Sequence, residues 1–310
     1  MLAIALALLA QGEVQFKTSW PDGLKEAKAA QGKLAVLVFL TPDRRDCKRF
    51  ADEALKHDAV VAALNRHVAV KVNPLGTDDE NKLWQEQGQP MPPATIVFAP
   101  DGQKLTVILT GSGKYYAEAL DAAGPAYFHK IIPAREALAK DPNQPDKLAM
   151  LGEAYLALDN SAESSNNYKA AVELMLKKGD KSGALELLKG QMAAYYGKKW
   201  YVHARACCRN VLELDPSNGT KLCPQAAWVL GMADCAEGKW QDCISGLSAA
   251  CDRFKDSDIL DKMMFTLGSA HMYAKEKEKA IAVFEKIMAK FPDSETAKLA
   301  ETQANKLRSK

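Results

Sequence analysis

The sequence has no surplus of either charge: 41 lysines and arginines face 39 acidic residues, for a net +2. Nucleic acid and anionic membrane surfaces are recognised by concentrated positive charge, so neither is an expected partner. No later stretch approaches the ~20 consecutive apolar residues of a membrane helix, so no membrane span is expected. GSGK at 111–114 imitates the end of a phosphate-binding loop, but Ile108 stands where the earlier glycine belongs. Tyr115 replaces the hydroxyl residue that would hold magnesium. Compact Cys-x-x-Cys spacing is absent as well, which removes the usual structural zinc site; the one spacing toward zinc is His203 and Cys207 on one helical face. No cofactor or metal is expected.

What is present divides into two chemically different halves. Cys47 stands alone, while Cys207, Cys208, Cys223, Cys235, Cys243 and Cys251 crowd into the second half of the 310 residues. A chain of this length with 47% hydrophobic residues accommodates two domains. The opening MLAIALALLAQG is an apolar run ending in small residues, the pattern of a secretory signal over residues 1–10. Export to a periplasm or the exterior is therefore the expectation. No basic residue precedes the run, so either the true start lies upstream or the run is the first strand of the fold; a cytoplasmic protein that retains it is the alternative to export.

In the N-terminal half, LAVLVFL is an apolar run of strand length followed by the turn-prone Thr41-Pro42-Asp43 and then helical spacing through Phe50, Ala54 and Leu55. Asp58 is expected to cap a second helix, and VAVKVNP reads as a strand parallel to the first because a helical crossover joins them. ATIVFAP, the turn Asp101-Gly102 and KLTVILT form a hairpin. TSWPDGLKEAKAAQGK reads as a leading helix, with Pro21 near its start and Gly32 past its end. Asp43 and Asp46 read as helix-start caps and surface ion-pair partners of the neighbouring arginines.

The order helix, LAVLVFL, RRDCKRF, VAVKVNP, MPPATIVFAPDGQ resembles a thioredoxin-like domain over about residues 14–123. The resemblance implies a cis peptide bond at Pro93 and places Cys47 at the second, resolving cysteine of a Cys-x-x-Cys motif. Arg44 occupies the first. Disulfide exchange needs a thiolate attacker at an exposed helix N-terminus, and a guanidinium does not attack sulfur. The dithiol cycle is therefore absent. Two roles remain open for Cys47: a small buried hydrophobe, or a monothiol that Arg44 and Arg45 hold as thiolate beside Pro93.

In the C-terminal half, turn-like stretches recur at 141, 215, 254 and 291, close to multiples of one interval. LGEAYLAL, LGMADCAEGKW and LGSAHMYAKEKEKA lie between them. These segments resemble tetratricopeptide repeats, about 145–178, 185–218, 224–257 and 261–294, the second lacking Leu-Gly. The expected organisation is a signal at 1–10, an α/β thioredoxin-like domain at 11–123, a helical linker or degenerate hairpin at 124–144, an all-α array at 145–294 and a capping helix at 295–310. In that pattern Lys189, Tyr196, Trp228, Met232, Phe265 and Tyr273 point into the concave groove, where aromatics and methionine anchor a protein or peptide. Antiparallel helices in the third repeat bring Cys223 toward Cys251 and Cys235 toward Cys243, two expected disulfides. The function read from these features is a non-catalytic, exported protein-binding scaffold. Its rival is a monothiol thiol–disulfide oxidoreductase or isomerase using Cys47, with the array selecting clients.

Overall fold

The computed structural model describes residues 12–109 and 113–309. The expected export signal and Gly111 and Ser112 of GSGK lie outside the described residues. The chain forms two compact units, Met1–Ala171 and Val172–Lys310.

Among the described residues, the first helix of this unit is α1 (Trp20–Ala29), capped by the Ser19 hydroxyl, which accepts the Asp22 amide. There follow β1 (Ala35–Phe39), α2 (Arg45–Arg49) running on into a π-helical turn at Phe50–Ala54, α3 (Asp58–Asn65), β2 (Val68–Val72), α4 (Asp78–Glu86), β3 (Ala94–Phe98) and β4 (Lys104–Leu109). The sheet order is β2-β1-β3-β4. β1 and β2 are parallel and β3 is antiparallel to both β1 and β4. Because strand side chains alternate between faces, Val36 and Val38 join Cys47, Phe50, Leu64 and Tyr116 on one side. Ala35, Leu37 and Phe39 meet Ala27, Trp20 and Leu83 on the other. Helices thus cover both faces of the sheet, which is why β1 and β3 read as unbroken apolar runs. One cap differs from expectation. His57, not Asp58, closes the N-terminus of α3, its Nδ1 accepting the Ala59 amide at 3.3 Å. Asp58 is already helical, and its charge lies in the first turn, where the helix dipole favours it.

A long helical stretch comes next, α5 (Gly113–Pro125), a π-helical segment at Ala126–Ile131 and α6 (Ile132–Lys140). The hairpin α7 (Pro145–Ala157) and α8 (Ser161–Lys177) follows. Leu151, Ala154, Tyr155 and Leu158 of this hairpin belong to the same apolar cluster as β1 and α3. The Tyr155 hydroxyl receives hydrogen bonds from Gln103 (2.9 Å) and Arg135 (2.7 Å). The Asn160 amide donates to the Leu105 carbonyl at 3.0 Å, occupying an acceptor on the outermost strand. The first unit therefore extends past residue 123, through α7 and into α8.

The second unit stacks α9 (Lys181–Gly197) with α10 (Tyr201–Leu214), α11 (Cys223–Ala236) with α12 (Trp240–Arg253), α13 (Leu260–Tyr273) with α14 (Lys277–Lys290), and ends in α15 (Glu295–Arg308). Each hairpin turns the same way. Lys199, Gly238 and Lys275 sit at positive φ (61°, 74° and 64°). The next residue's amide closes a bond to the carbonyl five residues back: Trp200 to Tyr195, Lys239 to Asp234, Glu276 to His271, at 2.8–2.9 Å. This is the Schellman ending of a helix. The Leu-Gly glycines have a packing reason. A Cβ added to Gly231 or Gly268 would stand 2.6 Å from Leu247 or Phe284 of the paired helix, and Gly152 bears the same relation to Tyr168 in the first unit. In α9 and α10 the register gives Met192 the glycine's position and Cys208 the large residue's. Both are fully buried, so bulk has exchanged sides of the hairpin.

Candidate functional site

In the first unit, the end of β1 and the start of α2 face the turn before β3. Arg44 is the N-cap residue of α2 and its side chain makes no cap hydrogen bond. Neither Asp43 nor Asp46 serves as that cap; Asp46 lies in the first turn and pairs with Arg49 at 3.6 Å. Both partners are more than half exposed, so the pair contributes little. The Pro92–Pro93 peptide bond is cis. Arg44, Arg49, Phe50, His57, Met91 and Pro93 line a groove of about 580 Å³. Prolines carry no N–H, so Pro92 and Pro93 present only carbonyls to anything lying along that wall. Met91 and Leu109 stand 68% and 64% exposed at its rim.

Cys47 does not open into this groove as a free nucleophile would. It is 2% exposed, packed among the core residues beneath α2, and its sulfur accepts the Thr41 amide at 3.4 Å.

In the second unit the first helices of successive hairpins, α9, α11, α13 and α15, pack on one another as well as on their own partners, forming one continuous wall. The six expected groove residues lie on α9, α11 and α13 but in different surroundings. Trp228 is half-buried against the cluster of Cys223, Ala250, Phe254 and Met263; its indole N–H donates to Thr266 Oγ1 at 2.9 Å. Phe265 packs on Phe284, ring centroids 5.6 Å apart, in the cluster beneath α15. These two belong to the packing between hairpins. Lys189 pairs with Glu186 at 3.4 Å, Met232 is half-buried, and Tyr196 lies 5.7 Å from the Tyr201 ring. Tyr273 is 60% exposed and stacks on Trp240, centroids 4.9 Å apart and planes 18° from parallel.

Residues 263–294 match the tetratricopeptide repeat family. The chain is a thioredoxin-like fold followed by tetratricopeptide hairpins. The mixed four-stranded sheet, covered on both faces and entered by a cis proline at β3, defines the first part; the repeated helical hairpins define the second. The chain is also similar to a solved structure titled DsbH Oxidoreductase, at 17% identity over 37% of this chain and 86% of that one, with a TM-score of 0.33. No curated protein matches it.

Within the tetratricopeptide part, Cys235 and Cys243 lie at disulfide distance across the turn between α11 and α12, Cα atoms 5.8 Å apart. Cys223 and Cys251 do not pair. The Cys223 thiol donates instead to the Asp215 carbonyl at 3.0 Å, a loop acceptor that draws the sulfur away from α12. Burial pushes the thiols of Cys207 and Cys208 up to about 12, and that of Cys251 to about 11. Cys207 donates to Gln191 at 3.4 Å, while His203 packs on the rings of Tyr195 and Trp200. Among the described residues no group of three or more His, Cys, Asp or Glu is arranged to hold a metal.

Two features of this half escape a reading by repeat pattern. Arg205, 8% exposed, reaches Glu237 at 2.8 Å and Asp234 at 3.4 Å. Burial raises the Asp234 carboxyl despite that arginine, while bonds from Arg205 and Lys239 hold Glu237 below its usual range. The signal in the sequence is a lone arginine on an otherwise apolar face of YVHARACC. Trp240 is the other; it sits just past the turn glycine, outside the groove positions of the repeat.

Proposed function

We propose that this protein is a non-catalytic binding scaffold, in which the tetratricopeptide hairpins dock a polypeptide partner and the thioredoxin-like fold offers a second contact for an extended chain near Arg44 and Pro93. One observation carries the reading: the position of the attacking thiol is a guanidinium, and the remaining Cys47 sulfur is buried in the core. Tetratricopeptide hairpins supply protein contact. The exposed Tyr273 and the half-buried Tyr196 and Met232 offer the aromatic and sulfur surface such contact uses. The apolar start of the chain and the cysteine pair at disulfide distance support an exported protein, since such pairs persist in oxidising compartments.

The rival has one observation in its favour: Arg44 and the cis Pro93 line one groove at the N-terminus of the helix that carries Cys47. The deciding experiment combines reduction of a model protein disulfide, with dithiothreitol as electron source, and photo-crosslinking from position 273 in cells. The scaffold reading expects no reductase activity above the Cys47→Ser variant and the same crosslinked partners from both. Activity or partner capture that disappears in Cys47→Ser would establish the oxidoreductase.

A further inference from the structure

We infer that the Cys235–Cys243 pair is a reversible thiol–disulfide exchange site, attacked at Cys235 by a dithiol, so that the redox-responsive centre lies in the helical repeats and not in the thioredoxin-like groove.

The turn it spans does not need the bond. The neighbouring turns at Lys199 and Lys275 close through the same Schellman hydrogen bond. The cysteine positions there hold Tyr196 with Ala204, and Met272 with Ala280. A covalent link is thus an addition to a geometry that the backbone already secures. It encloses Ala236–Asp242, a segment tied to both adjoining hairpins. Glu237 bonds Arg205 of α10, Trp240 stacks on Tyr273 of α13, and Gln241 bonds Glu276, which in turn holds His271 Nδ1 at 2.6 Å. A change in the link is therefore felt by the surface around Trp240, Lys239, Tyr273 and Lys275, an open cleft of about 430 Å³.

The two sulfurs are unequal. Cys235 is half-buried, whereas Cys243 is fully buried, and exchange proceeds at the sulfur an attacker can reach. A thiolate of the dithiol attacks Cys235 Sγ. The bond between the sulfurs breaks, its electron pair leaves with Cys243 Sγ, and that sulfur takes a proton. The second thiol of the dithiol then attacks the mixed disulfide, Cys235 leaves and is protonated, and the dithiol departs as a disulfide, oxidised by two electrons. Cys47, Cys207, Cys208 and Cys223 are buried free thiols, whereas Cys251 is half-buried like Cys235 and, being a free thiol, takes no part in the disulfide.

The test uses the full chain under native conditions, with dithiothreitol and then oxidised glutathione, acid quenching, alkylation and peptide mass spectrometry. With alkylation in denaturant after the quench, the free cysteines are labelled in every sample, and the expected result is that Cys235 and Cys243 alone change from unlabelled to alkylated on reduction, at thiol concentrations that leave the far-ultraviolet circular dichroism unchanged, with full reversal on reoxidation. The single variants fix the polarity. Cys243→Ser leaves an accessible Cys235 that forms a mixed disulfide with glutathione at least about tenfold faster than the Cys243 left in Cys235→Ser. Reduction only together with unfolding would make the pair a structural staple and overturn the inference. Equal reactivity of the two single variants would overturn the attack at Cys235.

Discussion

Replacing Trp228 by alanine separates a groove anchor from a packing residue. Its ring is half-buried against Cys223, Ala250, Phe254 and Met263, and its indole N–H is satisfied by Thr266 Oγ1 at 2.9 Å. Truncating a fully buried tryptophan costs about 3–5 kcal/mol; scaled for partial exposure, Trp228→Ala costs about 2–3 kcal/mol. For a unit of this size that lowers Tm by about 6–12 °C. Trp228→Phe keeps most of the packing and loses one neutral hydrogen bond, about 0.5–1.5 kcal/mol. Thr266 keeps its own bond to the Lys262 carbonyl at 3.0 Å, so the phenylalanine variant leaves no stranded donor. Thermal unfolding followed by circular dichroism, with partner crosslinking from position 273 measured well below the lowered Tm, is the assay. The alanine variant should melt early and still crosslink. An unchanged Tm with lost crosslinking would refute the packing account and restore Trp228 to the groove.

Lys199 and Lys275 occupy left-handed backbone that costs a side-chain-bearing residue about 1–2 kcal/mol, offset in part by the greater unfolded freedom of glycine. Lys199→Gly and Lys275→Gly should each stabilise by about 0.5–1 kcal/mol in denaturant titrations at constant m, and Gly238→Lys should destabilise by a similar amount. His67 is lowered by burial and then by Arg66, and its Nδ1 accepts the Leu34 amide. The unfolded chain therefore takes up this proton first as pH falls: the stabilisation is complete above the unfolded value near 6.5 and is lost on acidification toward the folded one. His67→Gln should flatten the Tm profile below pH 6.5 and leave it unchanged above pH 7.5. With thiols raised to about 12, Cys207 and Cys208 should resist alkylation at pH 8 until denaturant is added, as counted by intact mass.

The strands were legible because the central ones are buried on both faces and the sequence spells them as apolar runs. The cis proline and the missing thiol were legible through the resemblance to a thioredoxin-like domain, which aligns Pro93 and Arg44 with defined positions of that fold. Side-chain direction on the repeat helices was not. The repeat pattern places Trp228 and Phe265 on the correct helices, but the rotation of each hairpin on the next decides whether a ring meets solvent or the following helix. The cysteines show the same limit. A short turn fixes Cys235 opposite Cys243, whereas Cys223 lies at the open end of the hairpin, where a nearby loop carbonyl competes for its thiol. His57 as a cap was invisible to a rule built on serine, threonine, asparagine and aspartate.

The placement of the first hairpin bears on how such chains are cut and recombined. Severing the protein at residue 123 would strip Leu151, Tyr155 and Leu158 from the core they share with β1 and α3. It would leave Gln103 without its tyrosine partner and Leu105 without the Asn160 cap. A fragment ending there exposes an apolar flank and an unguarded strand, the conditions for aggregation. A cut beyond Lys177, after α8, keeps the first hairpin with the sheet, so an exchange of repeat arrays has to carry that hairpin along.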